Sequence, residues 1–253
     1  MQFLWPRHPG TLSPAGVADA FTWPRHDAPY VRAVMVATAD GAAKSPKGLS
    51  GGISSAADRL VFATIRGLSD VILVGAETVR SEGYGPVRPR PELVDRRAAS
   101  GQAPVPRIAI VTRSGNLDLT APLFTDSVEP PLIFTTTSLP ADRREALAAV
   151  AEVIEVGESD CEPDRVIAEL GSRGLNRIAC EGGPSILGQF MGRRLIDELC
   201  LTVTPLAYGG TGDEPAVSRI IGGPPLPDSP RPMRLAHVME SDGTLFLRYT
   251  API

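Results

Sequence analysis

Arg177-Ile178-Ala179-Cys180-Glu181-Gly182-Gly183-Pro184-Ser185 is the stretch whose reading decides the fold of this chain. The run 177–180 reads as a short buried strand, and residues 183–194 read as a helix. Pro184 suits the first helical turn, where its missing N–H costs nothing. A strand that passes through two glycines into a helix leaves the first N–H groups of that helix free to hold a pyrophosphate. Glu181, at the end of the strand, is a candidate buried carboxylate. The plain alternative is a tight strand–helix junction with an exposed glutamate.

Outward from this junction the same alternation repeats. Upstream, Val31–Ala37 reads as a buried strand, followed by a Gly/Lys/Ser loop over 40–54. Ser54-Ser55-Ala56-Ala57-Asp58 has the look of a helix start, with serine at the cap and an acid in the first turn. That helix is expected to reach Arg66 and stop at Gly67. Asp70–Val74 is the next strand, with a short helix from Ala76. Residues 83–106, rich in proline, glycine and arginine, read as one long loop. Strands follow at Arg107–Val111, Pro131–Thr135 and Val153–Val156, with helices at Ala141–Val150 and Pro163–Arg173. Downstream, Glu198–Thr204 is a strand. Arg234–Glu240 and Thr244–Tyr249, separated by Ser241-Asp242-Gly243, form a hairpin by their Asp-Gly turn. The order implies an α/β fold: a mostly parallel sheet with helices on both faces and a C-terminal antiparallel hairpin. Residues 1–28 read as an irregular N-terminal arm packed over one domain spanning 29–253, with Trp5 and Trp23 either capping its core, the reading preferred, or lining a partner surface.

In open α/β sheets ligands sit at the carboxyl ends of the strands. Besides 180–185, three loops qualify. In Thr38-Ala39-Asp40-Gly41 a carboxylate can bind a polar ligand or assist a proton transfer, or Asp-Gly simply makes a turn. In Val74-Gly75-Ala76-Glu77-Thr78-Val79, Gly75 either admits a ligand to the backbone at a helix start or serves an ordinary strand–helix turn. Thr112-Arg113-Ser114 either receives a 2′-phosphate, favouring NADPH over NADH, or is a solvated turn.

Composition narrows the classes. With 43% hydrophobic and 21% charged residues the chain can bury a sizeable core. A net charge of −4 without a basic block gives no footing for nucleic acid. No apolar stretch reaches transmembrane length, and the N-terminus lacks a signal-peptide core. Cys161, Cys180 and Cys200 form no C-x-x-C pair and read as reduced, buried thiols of a cytoplasmic protein. With them and three histidines (His8, His26, His237), no metal site is expected. None of the histidines follows a parallel strand, which disfavours histidine-based nucleophilic catalysis. The chain has no G-x-G-x-x-G, no G-x-S-x-G elbow and no Walker sequence. Phosphate cradles, one or two carboxylates and scattered arginines remain, and these suit hydride transfer, where a cofactor carries the chemistry.

In this order the motifs resemble the reductase domain of the bifunctional riboflavin-biosynthesis deaminase/reductase, also found as stand-alone pyrimidine reductases. The resemblance rests on Thr38-Ala39-Asp40-Gly41, on Asp58–Arg66 leading into Asp70-Val-Ile-Leu-Val-Gly75, on Thr78-Val79, and on Glu181-Gly182-Gly183-Pro184 followed by Leu195-Ile196-Asp197-Glu198-Leu199. It implies a dihydrofolate-reductase-like fold, NADPH, a homodimer, and reduction of the ribose of 5-amino-6-(5-phosphoribosylamino)uracil, or a close phosphoribosyl-aminopyrimidine, to the ribityl form. Carried over by position, Ser50, Arg66 and Glu181 contact substrate, Arg66 through the phosphate, and Asp40 lies near the reacting sugar. Gly52, Thr78 and Glu82 lie beside the cofactor. Gly183 through Gln189, among them Pro184, Ser185, Ile186 and Leu187, wrap its pyrophosphate, and Gly75 and Gly182 also belong to the cofactor site. Arg88 and Arg90 are further phosphate candidates. The chain departs from the family's Ser-Leu-Asp-Gly at Thr38-Ala39, from its acidic pair before proline at Glu82-Gly83-Tyr84, and from a frequent tryptophan at Gly52. The deaminase zinc signature is absent. The alternatives are a dihydrofolate-type reductase on the same fold and a non-catalytic nucleotide-binding protein.

Overall fold

The computed structural model describes residues 1–6, 10–24, 27–45, 47–209 and 219–252. His8 and His26 lie outside the described residues. The strands are β1 (Gln2–Trp5), β2 (Tyr30–Thr38), β3 (Val71–Gly75), β4 (Arg107–Val111), β5 (Leu132–Thr135), β6 (Glu152–Glu155), β7 (Arg177–Cys180), β8 (Glu198–Thr204), β9 (Arg234–Ser241) and β10 (Thr244–Thr250). The helices are α1 (Pro14–Ala20), α2 (Ala56–Leu68), α3 (Ala76–Glu82), α4 (Val94–Ala99), α5 (Pro122–Thr125), α6 (Ala141–Ala148), α7 (Pro163–Ser172) and α8 (Pro184–Gly192).

The strands form one sheet in the order β1-β9-β10-β8-β2-β7-β3-β4-β5-β6. From β8 to β6 all neighbours are parallel; β10 pairs antiparallel with β8 and β9, and β1 antiparallel with β9. The expected α/β architecture and terminal hairpin are both present. Asp242 and Gly243 at the hairpin turn have φ of 51° and 77°, the left-handed pair that a two-residue turn needs.

The sheet is covered on both faces, so β3 (VILVG) is buried at every position. Val71 and Leu73 face one core with Ile178, Leu187 and Phe190; Ile72 and Val74 face another with Ile110, Leu123 and Leu147. α2 begins as its sequence predicts. The Ser55 hydroxyl accepts the Asp58 N–H at 3.0 Å, satisfying one of the four free donors of the first turn. Val61, Ile65 and Leu68 form its buried stripe.

Several expectations are corrected. Gly67 does not end α2, which continues to Leu68. A Cβ at Gly67 would collide with Leu93, so this glycine lets the 3-10 turn Pro91–Leu93 pack against the helix. The stretch 83–106 accordingly contains that turn and α4 and is not one open loop. The N-terminal arm is also more ordered than its composition implies. β1 adds a strand to the sheet edge, and α1 is capped by Ser13, whose Oγ accepts the Gly16 N–H at 3.2 Å. Val17 and Phe21 enter a core with Ile65, Met239 and Phe246. Trp23 caps this core, whereas Trp5 is 50% exposed.

Beneath the arm lies a charged cluster. Arg32, in the middle of β2, is fully buried; its Nε is 2.5 Å from Glu198 Oε1 and its Nη1 donates to Phe21 O at 2.7 Å. Its guanidinium carbon lies 4.1 Å from the Trp23 ring centre. Glu198 Oε2 also accepts from Arg248 Nη2 at 2.8 Å and from the Tyr30 hydroxyl at 3.2 Å. Burial alone would push the Glu198 carboxyl upward, but Arg32 and Arg248 outweigh it and hold the group below the ordinary glutamate range. The three cysteines are buried free thiols, and burial raises Cys161 to about 11 and Cys180 to about 12.

Candidate active site

A cavity of about 320 Å³ opens where β2, β3 and β7 end. Its wall combines Val34–Val36, the loop after β2, one face of α2, the end of α3 with the turn after it, and the β7–α8 junction. Of the residues singled out from the sequence, Ser50, Arg66, Thr78, Glu82, Glu181, Gly183 and Pro184 line it. The structure thus gathers on one surface residues up to 134 positions apart in sequence (50 to 184).

Glu181 is its buried charge. The carboxylate is 1% exposed and is gripped two-pronged by Arg66, Nε to Oε1 at 2.6 Å and Nη2 to Oε2 at 2.6 Å. The fork geometry of guanidinium matches both oxygens at once. The Tyr84 hydroxyl donates to Oε2 at 2.5 Å. Arg66 lies between two rings, 4.4 Å from the centre of Phe62 and 4.8 Å from that of Tyr84, an arrangement favourable to a flat cation. Burial, and then the Glu181 charge, raise the Tyr84 hydroxyl well above the ordinary tyrosine range, so it stays a proton donor.

The other wall is a backbone cradle. Gly183 N–H donates to Thr78 Oγ1 at 2.8 Å, and a Cβ at Gly183 would lie 2.8 Å from that oxygen. The first backbone bond inside α8 is Leu187 N–H to Gly183 O at 3.0 Å. The N–H groups of Ser185 and Ile186 therefore stay unspent within the helix, beside the positive end of its dipole. Glu82 Oε1 accepts the Ser50 N–H at 2.7 Å, tying the loop to α3.

Other candidates have different duties. Gly75 is buried in β3; its N–H donates to Gly182 O at 2.7 Å, and a Cβ there would come within 2.9 Å of Ile186 Cγ1. It brings the β7–α8 junction close without lining the cavity. Gly182 adopts φ +75°, and a Cβ on it would sit 3.2 Å from Met35 Sδ. Leu187 belongs to the core, Ile186 packs against it, and Ser185 is exposed. Gly52 abuts Ser45, whose Cβ would be 2.5 Å from an added Cβ.

Asp40 does not line the cavity. Its carboxylate accepts from the Thr38 hydroxyl and from the N–H groups of Tyr208 (2.8 Å) and Gly209 (2.6 Å), and these bonds, the Thr38 hydroxyl first, lower it to about 2. Thr38 Oγ1 in turn accepts the Ala42 N–H at 2.9 Å. The plain reading of Asp40-Gly41 as a turn describes this geometry, and Asp40 fastens that turn to residues 208–209. Arg88 and Arg90 also lie off the cavity wall, engaged with Asp126 O and Glu92.

Tyr84, Phe62, Asp58, Arg59 and Lys44 line the cavity although the sequence reading did not select them. For two of these the signal was present: Asp58 and Phe62 recur at four-residue spacing with Arg66 and so share one face of α2. Tyr84 carried no periodic signal, because it lies just past a helix end.

Comparison with known proteins adds an independent line. The model of the RibD C-terminal domain family matches residues 29–240. The 2,5-diamino-6-ribosylamino-4(3H)-pyrimidinone 5′-phosphate reductase of Aquifex aeolicus is 34% identical over 77% of this chain and 83% of its own length. The protein of the same name from Archaeoglobus fulgidus is 28% identical over 75% and 85%. Among solved structures, a pyrimidine reductase-like protein from Corynebacterium diphtheriae superposes with a TM-score of 0.78 at 28% identity, covering 89% of this chain and 92% of that one. The riboflavin biosynthesis reductase Rib7 of Saccharomyces cerevisiae shares the fold, with a TM-score of 0.61 at 15% identity over 93% and 95%.

Proposed function

The chain belongs to the RibD C-terminal domain family, and from that footing we propose that it is the pyrimidine reductase of riboflavin biosynthesis, reducing the ribose of a phosphoribosyl-aminopyrimidine to the ribityl form with NADPH. The observation that carries the reading is the pairing, in one cavity, of the helix start at Gly183–Pro184 with the Arg66–Glu181 clamp.

The two walls suit the two reactants. The unspent N–H groups of Ser185 and Ile186 are the donors for a cofactor pyrophosphate, with Thr78 fixing Gly183, where a Cβ would crowd the Thr78 hydroxyl. NADPH supplies a hydride when bound. On the opposite wall, Arg66 spends Nε and Nη2 on Glu181 and keeps Nη1 for a phosphate oxygen of the substrate. Glu181 offers an acceptor for an N–H of the pyrimidine. In the reaction the ribosylamine ring opens, its ring oxygen takes a proton, and C1′ of the imine-like sugar accepts the hydride. The chain's contribution is to hold C1′ in register with the cofactor. Preference for NADPH over NADH is assigned to Arg113, after β4. It is 70% exposed and paired only with the equally exposed Asp160, a surface pair weak enough to yield to a 2′-phosphate.

The substrate is either 5-amino-6-(5-phosphoribosylamino)uracil or its 2,5-diaminopyrimidinone counterpart, for which the Aquifex and Archaeoglobus relatives are named. The protein is read as a cytoplasmic homodimer. In favour of a dimer, Leu201, Leu245, Leu247 and Val238 remain only half-buried on one face of β8–β10. The test is NADPH consumption by the purified protein with each pyrimidine, with dihydrofolate and NADH run alongside. Turnover of one pyrimidine, faster with NADPH than with NADH, is expected. Bound NADPH with no turnover of either pyrimidine would overturn the reading.

A further inference from the structure

Glu181 has a second holder besides Arg66, and its position is set by a helix stop. α3 ends at Gly83, in the left-handed conformation at φ +65°, with its N–H returning to Val79 O. Tyr84 N–H closes onto the same carbonyl at 3.1 Å. This double return of N–H groups is a common way to end a helix, and it depends on glycine at the left-handed position. It delivers the Tyr84 ring onto the core beneath α3 and onto the Arg66 guanidinium, with the hydroxyl 2.5 Å from Glu181 Oε2. Glu82, two residues earlier, fastens the Ser50 loop. One helix end therefore braces both the loop and the buried carboxylate.

A carboxylate has two oxygens with about four acceptor positions between them. Oε2 takes Arg66 Nη2 and the Tyr84 hydroxyl, and so is filled. Oε1 takes Arg66 Nε alone, which leaves one position open. We propose that Tyr84 is a positioning residue for substrate recognition. Its phenol saturates Oε2 and fixes the carboxylate plane, so that Oε1 presents a single oriented acceptor to a ring or exocyclic N–H of the aminopyrimidine. This rests on the reductase reading above. A phenylalanine would fill the same volume and stack on Arg66 equally well; the hydroxyl is the part that acts through Glu181.

The test is Tyr84→Phe, alone and combined with Glu181→Gln, measured for kcat, for KM toward the pyrimidine and for NADPH affinity. Tyr84→Phe is expected to raise the pyrimidine KM about tenfold, in keeping with one lost hydrogen bond to a charged group, with kcat and NADPH affinity within about twofold. In the Glu181→Gln background the same change is expected to add nothing, because two residues acting through one contact are not additive. An unchanged KM, a loss of kcat or NADPH affinity in place of KM, or full additivity with Glu181→Gln would overturn the proposal. If the wild type turns over no aminopyrimidine, the reductase reading falls. The unfolding free energies of the same four proteins then decide on the clamp: non-additive losses sustain it and additive losses overturn it.

Discussion

Two arginine–glutamate pairs in this molecule share their chemistry and differ in what surrounds them. Arg32–Glu198 and Arg66–Glu181 each join a helix- or strand-borne arginine to a buried carboxylate, and each arginine lies against an aromatic ring. Arg32 and Glu198 are both 0% exposed; Arg66 is 26% exposed and Glu181 1%. Around the first pair every neighbour is protein: Phe21 O, Trp23, Tyr30 and Arg248 complete the cluster. Around the second, one side is a cavity. A sealed pair can only hold structure, because no ligand can reach it. An open pair keeps donors and acceptors that a substrate can use, and the sheet beneath keeps them still.

The largest expected effect comes from breaking the sealed pair. Glu198→Ala leaves Arg32 without its counter-ion in a dry interior and removes an anchor of Arg248. Breaking a buried pair by removing one partner costs about 3–5 kcal/mol. Denaturant unfolding is expected to show a loss of that size, while NADPH oxidation per folded molecule is little changed. A near-neutral Glu198→Ala would mean that water reaches the cluster, and the contrast between the two pairs would disappear.

Breaking the open pair is expected to do the reverse. Arg66→Ala should weaken the pyrimidine by about 100-fold in kcat/KM, about 3 kcal/mol of lost charge-assisted contacts, with a smaller loss in unfolding free energy than Glu198→Ala, because solvent from the cavity can hydrate Glu181. Unchanged KM and kcat would remove Arg66 from substrate binding. Arg66→Lys sharpens the point. A lysine keeps the charge but loses the two-pronged fork and the flat face between Phe62 and Tyr84, so it should recover only a small part of the loss.

The contrast between the pairs also marks what the sequence could disclose. The strands, the β7–α8 junction and the glycine at 183 were legible, because local apolar runs and Gly-Pro punctuation determine them. That Arg32 meets Glu198 was not legible. The partners lie 166 residues apart (198 minus 32), and only the β2–β8 register brings Arg32 opposite Glu198. The arm over this pair reads as irregular because β1 is a short edge strand and α1 is stabilised mainly by burying Val17, Ala18 and Phe21, gains that appear only in tertiary context. Gly67 had the signature of a helix stop and proved to be a packing contact with Leu93, since one residue type serves both needs. Asp40 shows how far a dipeptide alone can reach: with Gly41 it described the turn that the structure contains.

The smallest effect tests whether the sealed cluster is dry. His237 sits beside it, 6% exposed, between the edges of Phe3 and Phe21. Burial first, and then the charges of Arg248 and Arg32 against the opposing pull of Glu198, lower it to about 4. The unfolded chain takes up its proton near the ordinary value of about 6.5, so between about pH 6.5 and 4 the unfolded state binds more protons than the folded one. Stability therefore rises with pH across that window and is lost on acidification. Going from pH 6.5 to 5.5 should cost about 1 kcal/mol from this residue, and His237→Gln should flatten that acid limb while leaving the slope above pH 7 unchanged. If the wild type and His237→Gln lose stability equally on acidification, His237 is hydrated, and the arm does not seal the cluster against water.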